Sequence, residues 1–169
     1  MRPEEAKLVA DFLLSNIEAE IPATVGVFGA VPPNQLEYRP DALSKSALGL
    51  LRHIALEDEW FLNSVADGQF TPPPDDSDAC GIATPQDAVA RYQQRMPAAI
   101  AKVRGLSGEQ LVKDVDLLGM IRMPAVQFLS LMMRHSAHHR GQLSAYLRPM
   151  GAKVPSIYGP TADTLQATA

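Results

Sequence analysis

Four stretches of this chain repeat apolar residues at the three-to-four spacing of a helix face, and that pattern leaves little besides a helix bundle to fold into. From Pro3 to about Ala30 the positions Ala6, Val9, Ala10, Leu13, Ile17 and Ile21 share one face. Pro3, Glu4 and Glu5 suit its first turn, and Pro22 is expected to bend it. A second run starts near Ser44 as N-cap and ends at Ala66, before Asp67-Gly68. Thr84-Pro85-Gln86-Asp87 opens the third, which stops at Gly105. Pro124 opens the fourth, closed after Arg148 by Pro149 and Gly151.

The links read differently. Gln69 to Ala83 contains three consecutive prolines and three aspartates, and is expected to be a surface loop. Cys80 within it follows acidic residues, so it reads as an incidental thiol. Leu106 to Arg122 is a long link, with a turn of helix at Ser107 to Gln110. Val115 to Ile121 is expected to be an extended crossover, since no second strand is evident. After the fourth helix, Val154 to Tyr158 is apolar enough to pack on the bundle. The fold class expected is all-α, in one domain spanning 1–169, with 1–3 and about 160–169 fraying.

Charge excludes some functions. The formal net charge is -4, and the 15 Lys and Arg are scattered, which is not the footprint of nucleic-acid binding. No apolar run approaches the roughly 20 residues that span a bilayer. The first residues lack the order of a signal peptide, and one cysteine cannot make an internal disulfide. A cytoplasmic protein with no membrane or nucleic-acid partner is the expectation.

Three of the four histidines fall between Met133 and Gly151. His135 and His139, four apart, lie on the buried stripe of the fourth helix with Phe128, Leu129, Met132, Ser136, Leu143 and Tyr146. His138 and Arg140 are expected to face outward. On the second helix, His53 and Glu57 share the core stripe of Ala47, Leu50, Ile54, Trp60, Phe61, Ser64 and Val65. Histidines at i and i+4 can bind one metal ion, and bundle interiors are where facing helices build such sites. Hydrogen-bonded core histidines are the competing reading. Glu57 has open roles as fourth ligand, acceptor for an imidazole N–H or general base, against an ordinary ion pair with Arg52 or Lys45. Trp60, Phe61, Phe128, Met132 and Met133 read as core packing.

The segments Leu36-Glu37-Tyr38-Arg39-Pro40, Leu51-Arg52-His53-Ile54-Ala55 and His135-Ser136-Ala137-His138-His139-Arg140-Gly141-Gln142-Leu143 resemble the DinB superfamily. The double histidine followed by Arg-Gly-Gln is the most specific of them. That resemblance covers nearly the whole chain and implies a four-helix bundle with a long crossover and a packed C-terminal tail. It also implies a divalent ion on His53, His135 and His139, with a coordination position left open, and a homodimer. Zn or Ni are the favoured ions, with Fe or Mn as further candidates. Relatives that look like bacillithiol and mycothiol transferases imply thiol transfer or hydrolysis on a small-molecule substrate, with a low-molecular-weight thiol as cosubstrate and Glu57 as proton carrier. The alternative is a non-catalytic, metal- or ligand-binding stress-response protein.

Overall fold

A computed structural model describes residues 1–165. In chain order its elements are α1 (Pro3–Gly29), α2 (Ala47–Asp67), α3 (Pro85–Arg104), α4 (Gly108–Leu111), β1 (Asp114–Leu117), β2 (Ile121–Pro124), α5 (Ala125–Leu147) and α6 (Ala162–Leu165). Four long helices form the bundle. α1 packs against α3 and α5, and so does α2, so the first two helices of the chain sit on a diagonal rather than side by side. Such an order needs long links, and residues 30–46 and 105–124 provide them. No helix among the described residues is long and apolar enough to cross a membrane.

Local chemistry sets the helix ends. α1 runs through Pro22 without interruption, and α3 through Pro97. The N-cap of α2 is Ser46, two residues later than expected. The Ser44 hydroxyl donates instead to Asp41 (2.7 Å), while Ser46 Oγ accepts the Gly49 N–H (3.1 Å). Gly68, at φ 69°, ends α2 in the left-handed conformation that only glycine adopts cheaply. Thr84 and Asp87 make the anticipated reciprocal cap on α3.

Two links depart from the sequence reading. The extended crossover is in fact a hairpin. β1 pairs antiparallel with β2, Asp114 opposite Pro124 and Leu117 opposite Ile121. Its turn places Leu118 (φ 53°) and Gly119 (φ 77°) in the left-handed region, the twist that matches paired strands. Val115 and Leu117 turn inward and cover the core, which a pair of strands this short needs for stability. The loop from Gln69 to Ala83 is not wholly superficial. Phe70 and Ile82 are buried anchors at its two ends. Arg52 clamps it from α2, donating through Nε to the Ile82 carbonyl (2.8 Å), and through its guanidinium to the Asp76 carbonyl (3.3 Å) and Asp78 (2.7 Å).

At the other end of the chain, Thr161 and Asp163 tie α6 to the backbone of Val154, and Arg148, which caps the end of α5, also reaches Asp163. Residues 166–169, included in the expected fraying, lie outside the described residues.

Close approach makes one glycine indispensable. A Cβ on Gly108 would sit 2.2 Å from the Pro3 carbonyl oxygen, where α4 abuts the start of α1. Gly108→Ala is therefore expected to destabilise by about 1–3 kcal/mol in urea unfolding. Gly141→Ala, with nothing within 4 Å, is expected to stabilise α5 by up to ~1 kcal/mol.

Candidate metal centre

α2 and α5 pack face to face, and that contact brings together the three histidines that the sequence places on inner faces. One ring nitrogen from each of His53, His135 and His139 lies within 4.8 Å of the others. The ring centroids stand 4.3 Å (His53 to His139), 4.5 Å (His135 to His139) and 5.1 Å (His53 to His135) apart. His138 points outward and is exposed, as expected.

The three rings differ in what their Nδ1 atoms meet. His139 Nδ1 donates to Gln142 Oε1 (2.7 Å), which leaves Nε2 with its lone pair free. His53 Nδ1 lies 4.0 Å from Glu57 Oε1. His135 packs against Phe61, and its Nδ1 is buried with no hydrogen-bond partner. Below them Trp60, Phe61, Phe70 and Phe128 form a contiguous aromatic cluster, which is core packing.

Crowding and burial decide the protonation state. Burial pushes His53 down to about 4, assisted by repulsion from His139 and His135. Burial likewise takes His135 to about 4, helped by His139 and His138. His139 is lowered by burial too, with its bond to Gln142 pulling the other way. Burial raises the Glu57 carboxyl above the usual carboxylate range. The ordinary ion pairs weighed for Glu57 are absent, because Arg52 is committed to the loop and Lys45 to Asp76 (3.0 Å). Three uncharged imidazoles with converging lone pairs, one with a stranded buried nitrogen, fit a divalent ion.

Next to His139 a cleft of about 300 Å³ opens, lined by Leu43, Ser44, Lys45, Leu50, Gln142 and Tyr146. Its size is at the lower end for small-molecule sites.

Arg140 departs from expectation. It is buried (2% exposed) and faces α1, where it bonds to Thr24 (2.9 Å), to Glu20 and to the Tyr158 hydroxyl of the tail. The guanidinium also lies over the Tyr158 ring, 5.3 Å from its centroid. Sequence reasoning likewise passed over Gln142 and Asp58. Gln142 sits three residues after His139, a spacing that makes helix neighbours. Asp58 lies four after Ile54 and three before Phe61, so it falls on the apolar stripe of α2, and it is fully buried.

The DinB family profile matches residues 9–168. The chain belongs to the DinB family. The Bacillus subtilis protein YjoA is 28% identical over 123 residues, covering 72% of this chain and 77% of that one. Its crystal structure, of a DinB-like protein, superposes with a TM-score of 0.66 at 23% identity, covering 86% of this chain and 96% of that one. A DinB-like protein from Bacillus cereus superposes at 0.72 with 20% identity, covering 86% and 95%. YfiT from Bacillus subtilis is described as a probable metal-dependent hydrolase with an unusual four-helix bundle topology. It superposes at 0.62 with 16% identity, covering 89% of each chain. At these identities the structural matches establish the DinB four-helix fold.

The lowered histidines carry a pH signature. Unfolded, these rings take up protons near 6.5, but in the folded chain His53 and His135 do so only near 4. Between those values the unfolded state binds more protons, so their contribution to the stability of metal-free protein falls as pH drops from 6.5 to 4. Asp58 opposes this slope, because its folded value of about 7 lies above its unfolded 3.8. The difference between parent and His135→Ala isolates the ring, and the variant is expected to show the shallower loss on acidification in metal-free urea titrations.

Proposed function

We propose that this DinB-family chain is a metal-dependent enzyme that activates a small protic nucleophile, water or a low-molecular-weight thiol, against a small electrophile. The observation that carries this reading is the convergence of His53, His135 and His139, uncharged and facing one another, beside an open cleft. A bound divalent ion, Zn or Ni for preference, would supply Lewis acidity that lowers the pKa of a water or thiol sharing it. The description of YfiT as a probable metal-dependent hydrolase supports the same class of chemistry.

The chain's own groups divide the remaining work. Gln142 holds the His139 ring with Nε2 inward, and Glu57 stands where it can orient His53. With its affinity for protons raised by burial, Glu57 is also suited to take the nucleophile's proton. Leu43, Leu50 and Tyr146 offer apolar walls to the substrate, while Ser44 and Lys45 offer polar ones. A free thiol at Cys80 is compatible with a cytoplasmic setting.

Elemental analysis of untagged protein is expected to find about one equivalent of divalent metal, with His139→Ala losing it and His138→Ala keeping it. Less than about a tenth of an equivalent, not restored by added Zn, Ni, Mn or Fe, would overturn the reading. Glu57→Gln is expected to retain the metal and to slow turnover by about 10²–10⁴-fold. If chelation lowers the melting temperature but no thiol or electrophile is turned over, the ion serves stability or sensing in a non-catalytic stress-response protein.

A homodimer is proposed through the outer face of α1, where Leu8 and Phe12 are 71% and 68% exposed. Sedimentation is expected to give twice the 18.3 kDa chain mass, and Phe12→Glu the chain mass itself.

A further inference from the structure

Behind the three histidines lies a buried group to which the proposed chemistry assigns no task. Asp58 is fully buried, and its Oδ2 accepts two hydrogen bonds of 2.7 Å, from Tyr92 of α3 and from Ser136 of α5. Its other oxygen, Oδ1, is buried without a partner. Burial pushes the carboxyl up to about 7, against the pull of the two hydroxyls and of the Arg140 charge. A carboxyl in this setting is costly, and its neighbours on the helix face, Ile54, Phe61 and Leu62, are buried and apolar.

Its place in the chain suggests what the cost secures. Asp58 follows Glu57 on α2, and Ser136 follows His135 on α5. Only these two helices carry the converging histidines. Among the described residues, Ser136 to Asp58 is the one side-chain hydrogen bond joining α2 directly to α5. Apart from the histidine rings themselves, which no hydrogen bond joins across the two helices, that contact is largely apolar packing, which is non-directional and tolerates sliding and rotation. A hydrogen bond constrains both distance and angle. One residue of slip moves a helix by about 1.5 Å and turns it by about 100°, enough to separate ring nitrogens that now lie within 4.8 Å. On its other side, α5 is fixed to α1 through Arg140, one turn after Ser136.

We infer that the Ser136–Asp58 hydrogen bond sets the register of α2 against α5, making Ser136 and Asp58 positioning residues of the metal centre. This inference rests on the metal reading above. The bond acts on the ligands through the backbone of their own helices and touches neither ion nor substrate. Tyr92 provides the internal control. It donates to the same oxygen, but from α3, which carries no histidine.

The experiment uses full-length protein loaded with Co(II). Affinity is measured by competition with a chelator, coordination from the visible d–d bands, and stability from melting of the metal-free protein. Ser136→Ala is expected to weaken Co(II) binding by about 10–100-fold and to shift the bands, with Ser136→Thr, which keeps the hydroxyl, restoring both. Asp58→Ala repeats the test from the other helix and is read if Ser136→Ala does not fold. Tyr92→Phe is expected to lower the melting temperature while leaving affinity within about twofold and the bands unmoved. The inference is overturned if Ser136→Ala binds like the parent with unchanged bands, or if Tyr92→Phe weakens binding as much as Ser136→Ala does. A parent that takes up no Co(II) overturns the metal reading itself and this inference with it.

Discussion

The bundle turns on a demand placed on α5, which must bury two opposed kinds of polar chemistry on adjacent stripes of one helix. Towards α2 it presents His135 and His139, whose environment strips them of protons. Towards α1 it presents Arg140, whose planar fork of donors suits a buried ion pair. The guanidinium is matched by Glu20, with Thr24 and Tyr158 completing its contacts. A mobile cation beside three crowded imidazoles would compete with any ion for the same space. The bonds to α1 hold this one on the neighbouring stripe, turned away from the histidines.

From that division the roles of the peripheral segments follow. The tail is needed because Tyr158 closes over Arg140 and Glu20. The loop between α2 and α3 is needed because Phe70 completes the aromatic floor under His135, and Arg52 holds that loop down. The link between α1 and α2 contributes Leu43, Ser44 and Lys45 to the cleft, and the Tyr146 hydroxyl donates to the Lys45 carbonyl (3.3 Å). Segments that look like connectors thus line the site or brace it.

Much of this was legible in the sequence where the signal was periodic. The four long helices, the caps at Thr84 and Gly68 and the shared faces of His53, His135 and His139 all follow from 100° per residue and known terminal chemistry. The failures have physical causes. The hairpin was missed because its turn uses Leu118-Gly119 rather than Asn-Gly or Asp-Gly, and because its second strand runs directly into the proline before α5. Arg140 reads as solvated from sequence because a single charged residue on a helix usually is, and its partners Glu20 and Thr24 lie 120 and 116 residues away. Asp58 was overlooked between two more conspicuous acids, although the stripe of Ile54, Phe61 and Val65 passes through it. Periodicity locates a face, whereas the partner that makes a buried charge tolerable is a long-range fact.

The interleaving of positions 135, 136, 139 and 140 also bears on descent. On the proposed reading His135 and His139 would hold the ion, while Ser136 and Arg140 bond to α2 and α1, and the two kinds alternate within a turn and a half of helix. Replacing both histidines would leave the bonds of Arg140 to α1 in place, so that part of the core does not depend on an ion. Likeness of architecture along this stretch can therefore persist where likeness of reaction does not.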